Sequence, residues 1–143
     1  MKTAVIYIRV RTNINEQEQI NFQKTLCQQL ANDKGLTVVG YYIDNEKFGN
    51  PINRNALSQM IHDRLTASWD YVITYSADRV CRKMGKLLKI ISTLKKRNKK
   101  LLIYTSPDHD LNTELIQVLY KSLPQRRKKW YENSSNLRSL FER

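Results

Sequence analysis

Apolar residues along the chain alternate between two spacings. Ala4 to Ile8 is a short β-branched apolar run, the pattern of a buried strand. Glu16 to Lys34 changes to helical spacing, with Ile20, Gln23, Cys27, Leu30 and Ala31 on one face and Gly35 as the stop. Leu36 to Ile43 is a second β-rich run, ending at Asp44. Residues 45–53 read as a loop broken by Gly49 and Pro51. Asn53 can cap a helix from Arg54 to Leu65, with Leu57, Met60, Ile61 and Leu65 as its core face. Trp69 to Tyr75 is the third strand, followed by Ser76-Ala77-Asp78-Arg79-Val80-Cys81-Arg82. A helix then runs to about Arg97, with Met84, Leu87, Leu88, Ile91 and Leu94 apolar and Lys83, Lys86, Lys89, Lys95 and Lys96 polar. Leu101 to Thr105 is the fourth strand, and an amphipathic helix from Leu111 to Leu123 follows the loop 106–110.

The order β-α-β-α-β-α-β-α predicts an α/β fold with a mostly parallel central sheet and helices on both faces. Pro124 interrupts the pattern. Residues 1–123 therefore read as one domain and 124–143 as a basic C-terminal tail or a short helix on Leu137, Leu140 and Phe141. Those last residues are too few for a helix-turn-helix domain.

Charge adds direction to this picture. The 143 residues carry a net +12 and are 41% hydrophobic, enough to bury a core. Residues 1–75 hold 8 Lys/Arg against 7 Asp/Glu, and residues 76–143 hold 17 against 6. A near-neutral half joined to a polycationic half points to a polyanionic partner, nucleic acid first, or else to a highly charged solvated surface. No apolar run has the length of a membrane span and no signal-peptide core is present, so a cytoplasmic location without membrane contact is expected. Cys27 and Cys81 have no metal-ligand spacing, and both read as reduced packing residues. His62 and His109 lack ligand-spaced partners, and no metal or other cofactor is expected. Trp69 reads as a packing residue at a strand start, and the lysines around residues 95–100 as ordinary complements of a helix C-terminus.

Two places carry candidate chemistry. Tyr7-Ile8-Arg9-Val10-Arg11-Thr12 puts Arg9 and Arg11 at the C-terminal tip of the first strand, the edge where open α/β sheets bind ligands. A guanidinium fork there fits a phosphate. In the tail, Arg126, Arg127, Lys128 and Lys129 precede Trp130 and Tyr131, a combination suited to phosphate contact and base stacking, or to docking on a partner protein.

Four blocks in order resemble the catalytic domain of the serine recombinases, the resolvase/invertase family, over roughly residues 3–113. The first is Tyr7-Ile8-Arg9-Val10-Arg11-Thr12, similar to Y-x-R-V-S-T. The second is the helix with Ile20 and Gln23. The third runs from Tyr42-Ile43-Asp44 through Gly49 to Arg54 and Leu57, and the fourth is Asp78-Arg79-Val80-Cys81-Arg82, similar to D-R-L-S/G-R. The resemblance implies metal-free phosphoryl transfer, in which a serine attacks a DNA phosphodiester and arginines stabilise the transition-state charge. It marks Arg9, Arg54, Arg79 and Arg82 as phosphate-binding, Asp78 and Asp44 as the nearby carboxylates, with Asp44 at the rim, and Gln23 as support for the active-site loop.

The nucleophile departs from that pattern, because Arg11 stands where the family has serine. A guanidinium is a permanent cation and cannot attack phosphorus. Thr12 is adjacent, but a one-residue shift on extended chain faces the other way. Phe48 and Asn55 also replace the family's serine and proline. The sequence therefore leads to a catalytically inactive, recombinase-like protein that binds the DNA backbone through Arg9, Arg11, Arg54, Arg79 and Arg82. It would regulate recombination or transcription, as a homodimer or paired with an active recombinase of a mobile element. Two alternatives stay open. One is an active recombinase using Thr12 or a partner's serine, with Arg11 as a substitution in an ordinary enzyme as its variant. The other is a protein-interaction module that does not bind DNA.

Overall fold

Four parallel strands form the frame of the computed structural model, which describes residues 2–10, 15–45 and 55–105. In chain order the elements are β1 (Thr3–Val10), α1 (Glu16–Asp33), β2 (Thr37–Asn45), α2 (Asn55–Asp63), β3 (Tyr71–Thr74), α3 (Ala77–Val80), α4 (Met84–Lys95) and β4 (Lys100–Ile103). The strands lie in the order β2-β1-β3-β4. Residues Ile6 and Tyr7 of β1 pair with Tyr41 and Tyr42 on one side and with Ile73 and Thr74 on the other. A bulge between Ala4 and Val5 shifts the register against β2.

Alternation along the strands divides the core in two, because successive side chains point to opposite faces. Val5, Tyr7, Val72, Leu101 and Ile103 face one way and pack with Leu57 and Met60 of α2, Val80 of α3 and Leu87, Leu88, Ile91 and Leu94 of α4. Ala4, Ile6, Ile8, Val10, Ile73 and Leu102 face the other and pack with Ile20, Cys27, Leu30 and Ala31 of α1. β1 is covered on both faces and is buried from Ala4 to Val10, as expected for a central parallel strand. The mostly parallel sheet with helices on both faces is thus present as the pattern predicts.

Two helices end in the same backbone device. After α1, Gly35 takes φ 69°, its N–H donates to Asn32 O at 3.1 Å, and Leu36 N–H reaches back to Ala31 O at 2.8 Å. After α4, Asn98 takes φ 58°, its N–H donates to Lys95 O at 2.9 Å, and Lys99 N–H to Leu94 O at 3.0 Å. Both are the left-handed C-terminal cap in which one residue reverses the chain and its successor turns inward. The stop at Gly35 is plain in sequence; Asn98 supplies the second with an asparagine, the next most tolerant residue.

Three details differ from the sequence reading. Leu65 is 43% exposed rather than part of the core, because α2 stops at Asp63 and the chain turns away before Leu65. The segment after β3 contains a separate short helix, α3. Lys99 is buried and held on two carbonyls, not an ordinary complement of a helix C-terminus. Its ammonium donates to Trp69 O at 2.6 Å and Ala67 O at 3.0 Å and lies 4.7 Å from the Trp69 ring centroid. Desolvation lowers its pKa below the ordinary lysine value. Asn53, Gly49, Pro51, His109, the helix expected over 111–123 and the tail 124–143 lie outside the described residues.

Candidate phosphate-binding crevice

The strand order fixes where a ligand can enter. The chain leaves β1 toward α1 on one face and leaves β3 toward α3 and α4 on the other, yet β1 and β3 are neighbours. Helices departing on opposite faces from adjacent parallel strands open a crevice at the strands' C-terminal ends, the usual ligand position in such folds. Arg9 stands at that end of β1, and Asp78, Arg79 and Arg82 follow β3.

The backbone carbonyl of Arg9 is where the two sides meet. Gln23 Nε2, from α1, donates to Arg9 O at 3.0 Å in a buried bond. Arg79 Nη1, from α3, stands 3.5 Å from the same oxygen. The Arg9 side chain, 4% exposed, donates through Nη2 to Asp78 O. A guanidinium held on a carbonyl inside the fold sits in a low-dielectric setting, where attraction to an anion is strongest. Ser76 Oγ donates to the Asp78 carboxylate, and Asp78 itself is exposed. Arg82 is exposed beyond the end of α3.

Asp44 has a structural position. It is 4% exposed and its carboxylate accepts from Tyr7 Oη at 2.7 Å, Ala56 N–H at 2.8 Å and Leu57 N–H at 3.0 Å. It satisfies two open N–H groups at the start of α2 from a different element and ties β1, β2 and α2 together. The expected position at the rim of the site does not match this burial. Its three partners come from two other elements, β1 and α2, so no local pattern announces them.

An open cleft of about 410 Å³ lies beside these groups, lined by Asn15, Glu18, Gln19, Phe22, Gln23 and Arg79. Phe22, Asn15, Glu18 and Gln19 had no part in the sequence-based site. Phe22 was legible only as a residue off the apolar face of α1, where it is 55% exposed. Arg11, Thr12, Arg54, Arg126, Arg127, Lys128, Lys129 and Trp130 lie outside the described residues. Among the described residues no group of three or more His, Cys, Asp or Glu could hold a metal ion, and no helix is long and apolar enough to cross a membrane.

Residues 4–128 match the family model described as Resolvase, N terminal domain. The fold is similar to that of the N-terminal catalytic domain of TP901-1 integrase, with a TM-score of 0.73 and 22% identity over 92% of this chain and 98% of that one. It is similar to a resolvase family site-specific recombinase from Streptococcus pneumoniae, with a TM-score of 0.70 and 19% identity over 90% and 91% of the two chains. A third similar fold is the C-terminal catalytic domain of ISC1926 TnpA, an IS607-like serine recombinase, with a TM-score of 0.62 and 23% identity over 96% and 92%. No curated protein matches the chain.

Proposed function

Since the chain belongs to the resolvase N-terminal domain family, we propose that it binds the DNA phosphate backbone at the crevice between β1 and β3 without cutting it. The observation that carries this reading is the convergence of Gln23 and Arg79 on the Arg9 carbonyl, which sets two guanidiniums at the C-terminal edge of the sheet. Arg11 follows two residues later in the sequence and Arg54 precedes α2. Both belong to the proposed cationic set, as does Arg82. The tail residues Arg126, Arg127, Lys128, Lys129 and Trp130 are a second DNA contact in this reading.

Arg11 replaces the serine of the motif that the hexapeptide resembles. Without a hydroxyl or thiolate at that place, no side chain forms the phosphoester that strand exchange requires. An added guanidinium strengthens anion binding instead, because clustered cations repel each other until a phosphate sits among them. The protein acts as a regulator of DNA recombination, as a dimer or through pairing with an active recombinase of the same mobile element.

Binding to labelled duplex should weaken steeply with salt, and Arg79→Gln should lower the slope of log K against log salt by about 1. A nicked suicide duplex should yield no covalent protein–DNA adduct. A stable ester through Thr12 or another side chain would establish an active recombinase, and binding that is absent or insensitive to salt would leave a protein-interaction module.

A further inference from the structure

The cleft beside the arginines is not built like a groove for phosphates. Arg79 is the single cation among its described lining residues, and Glu18 contributes a carboxylate that repels a second phosphate. The other described groups are two amides, Asn15 and Gln19, the Phe22 ring and Gln23. Such a lining of one guanidinium, an aromatic face and short polar side chains has the chemistry of a nucleotide site, with a phosphate at one end and a base at the other.

Two further observations support this. Phe22 is the open end of a row of rings. Its centroid lies 5.5 Å from Tyr75 with the planes tilted by 58°, and Tyr75 stacks on Tyr104 at 5.9 Å with an angle of 16°. Tyr75 and Tyr104 follow β3 and β4 directly and are half-buried, whereas Phe22 is 55% exposed. The second observation is Glu18, exposed on the same wall, whose carboxylate is an acceptor for the exocyclic amine of a base.

We propose that the cleft between α1 and α3 holds one unpaired nucleotide of DNA, its base stacked on Phe22 and its phosphate on Arg79. This rests on the backbone-binding reading and adds to it: the preferred DNA is locally unpaired, and Phe22 is the residue that detects this. Stacking is tolerant of base identity, so the preference is for an unpaired base rather than for a sequence.

Fluorescence anisotropy on the full chain with three DNA probes tests it: a duplex, the same duplex with one unpaired nucleotide, and that duplex with the unpaired position abasic. The unpaired probe should bind about 10-fold tighter than the other two. Phe22→Leu should abolish that ratio and Phe22→Trp should keep it, while Arg79→Gln should weaken all three probes. Thermal melting of the Phe22 variants should match the parent, since the ring is largely exposed. Equal binding of the unpaired and abasic probes, or an unchanged ratio in Phe22→Leu, would overturn this proposal while salt-dependent duplex binding left the broader reading standing. Failure of all three probes to bind would overturn both.

Discussion

At the scale of single residues, polar groups inside this protein act through partners distant in sequence. Asp44 is the plainest case, with one carboxylate accepting from a tyrosine hydroxyl of β1 and two N–H groups of α2. Asp44→Ala would leave these buried donors without acceptors. We expect a loss of about 3 kcal/mol in urea unfolding, since each orphaned buried donor costs about 1–3 kcal/mol and partial solvation recovers some of it. Asp44→Asn keeps one acceptor oxygen and should lose less. A midpoint unchanged in Asp44→Ala would show that the helix start is held by other contacts. Gln23 works in the same way on the Arg9 carbonyl. Gln23→Leu should lower affinity for DNA more than it lowers stability, because it releases the strand end that carries the arginine. Denaturation and anisotropy on the same preparation separate the two effects.

At the scale of elements, the two left-handed caps and the tie between β2 and α2 carry predictions. No heavy atom lies within 4 Å of a Cβ built on Gly35. Gly35→Ala therefore tests backbone conformation without a clash, and should cost about 1–2 kcal/mol in chemical denaturation. Gly35→Asn should recover part of that. The second tie is Tyr42 Oη, which donates to Asp63 at 2.6 Å. This bond, then the one from Gln59, holds the Asp63 carboxyl below its ordinary value of 3.8. A carboxyl depressed in the folded state adds stability above the unfolded value, and the contribution is lost as pH falls through the lower folded value. Burial first, then the Asp63 bond and charge, pushes the Tyr42 hydroxyl up to about 12. Its contribution is complete below pH 10 and is lost as pH rises through about 12. Tyr42→Phe should flatten the stability profile at both ends, as read from melting temperature against pH.

At the scale of the whole molecule, the central strand β1 is covered on both faces and thiol chemistry reports it. Burial pushes the Cys27 thiol up to about 12, so the reactive thiolate is scarce at neutral pH. Alkylation of Cys27, followed by mass spectrometry across a urea titration, should coincide with global unfolding. Rapid labelling in native buffer would show that α1 opens locally from β1 and β3.

The elements themselves were legible because they depend on near neighbours. The faces of α1 and α4 follow from 3.6-residue spacing, the burial of β1 from an unbroken apolar run, and the end of α1 from a glycine. Leu65 was misread because spacing gives a face but not the residue at which the helix stops. Lys99 was misread because its partners, Ala67 O and Trp69 O, sit on a loop some thirty residues away. The family resemblance in the sequence placed arginines at strand ends. It did not show that Gln23 holds the Arg9 carbonyl, that Asp44 lies inside the fold, or that Phe22 borders a cleft.

The sequence by itself determined the apolar faces of α1 and α4, the parallel α/β class and the cationic second half, because periodicity and charge are local sums. Only the tertiary structure decided that β1 lies between β2 and β3, since strand order is set by long-range pairing. That order places α1 and α3 on either side of one carbonyl and makes the crevice.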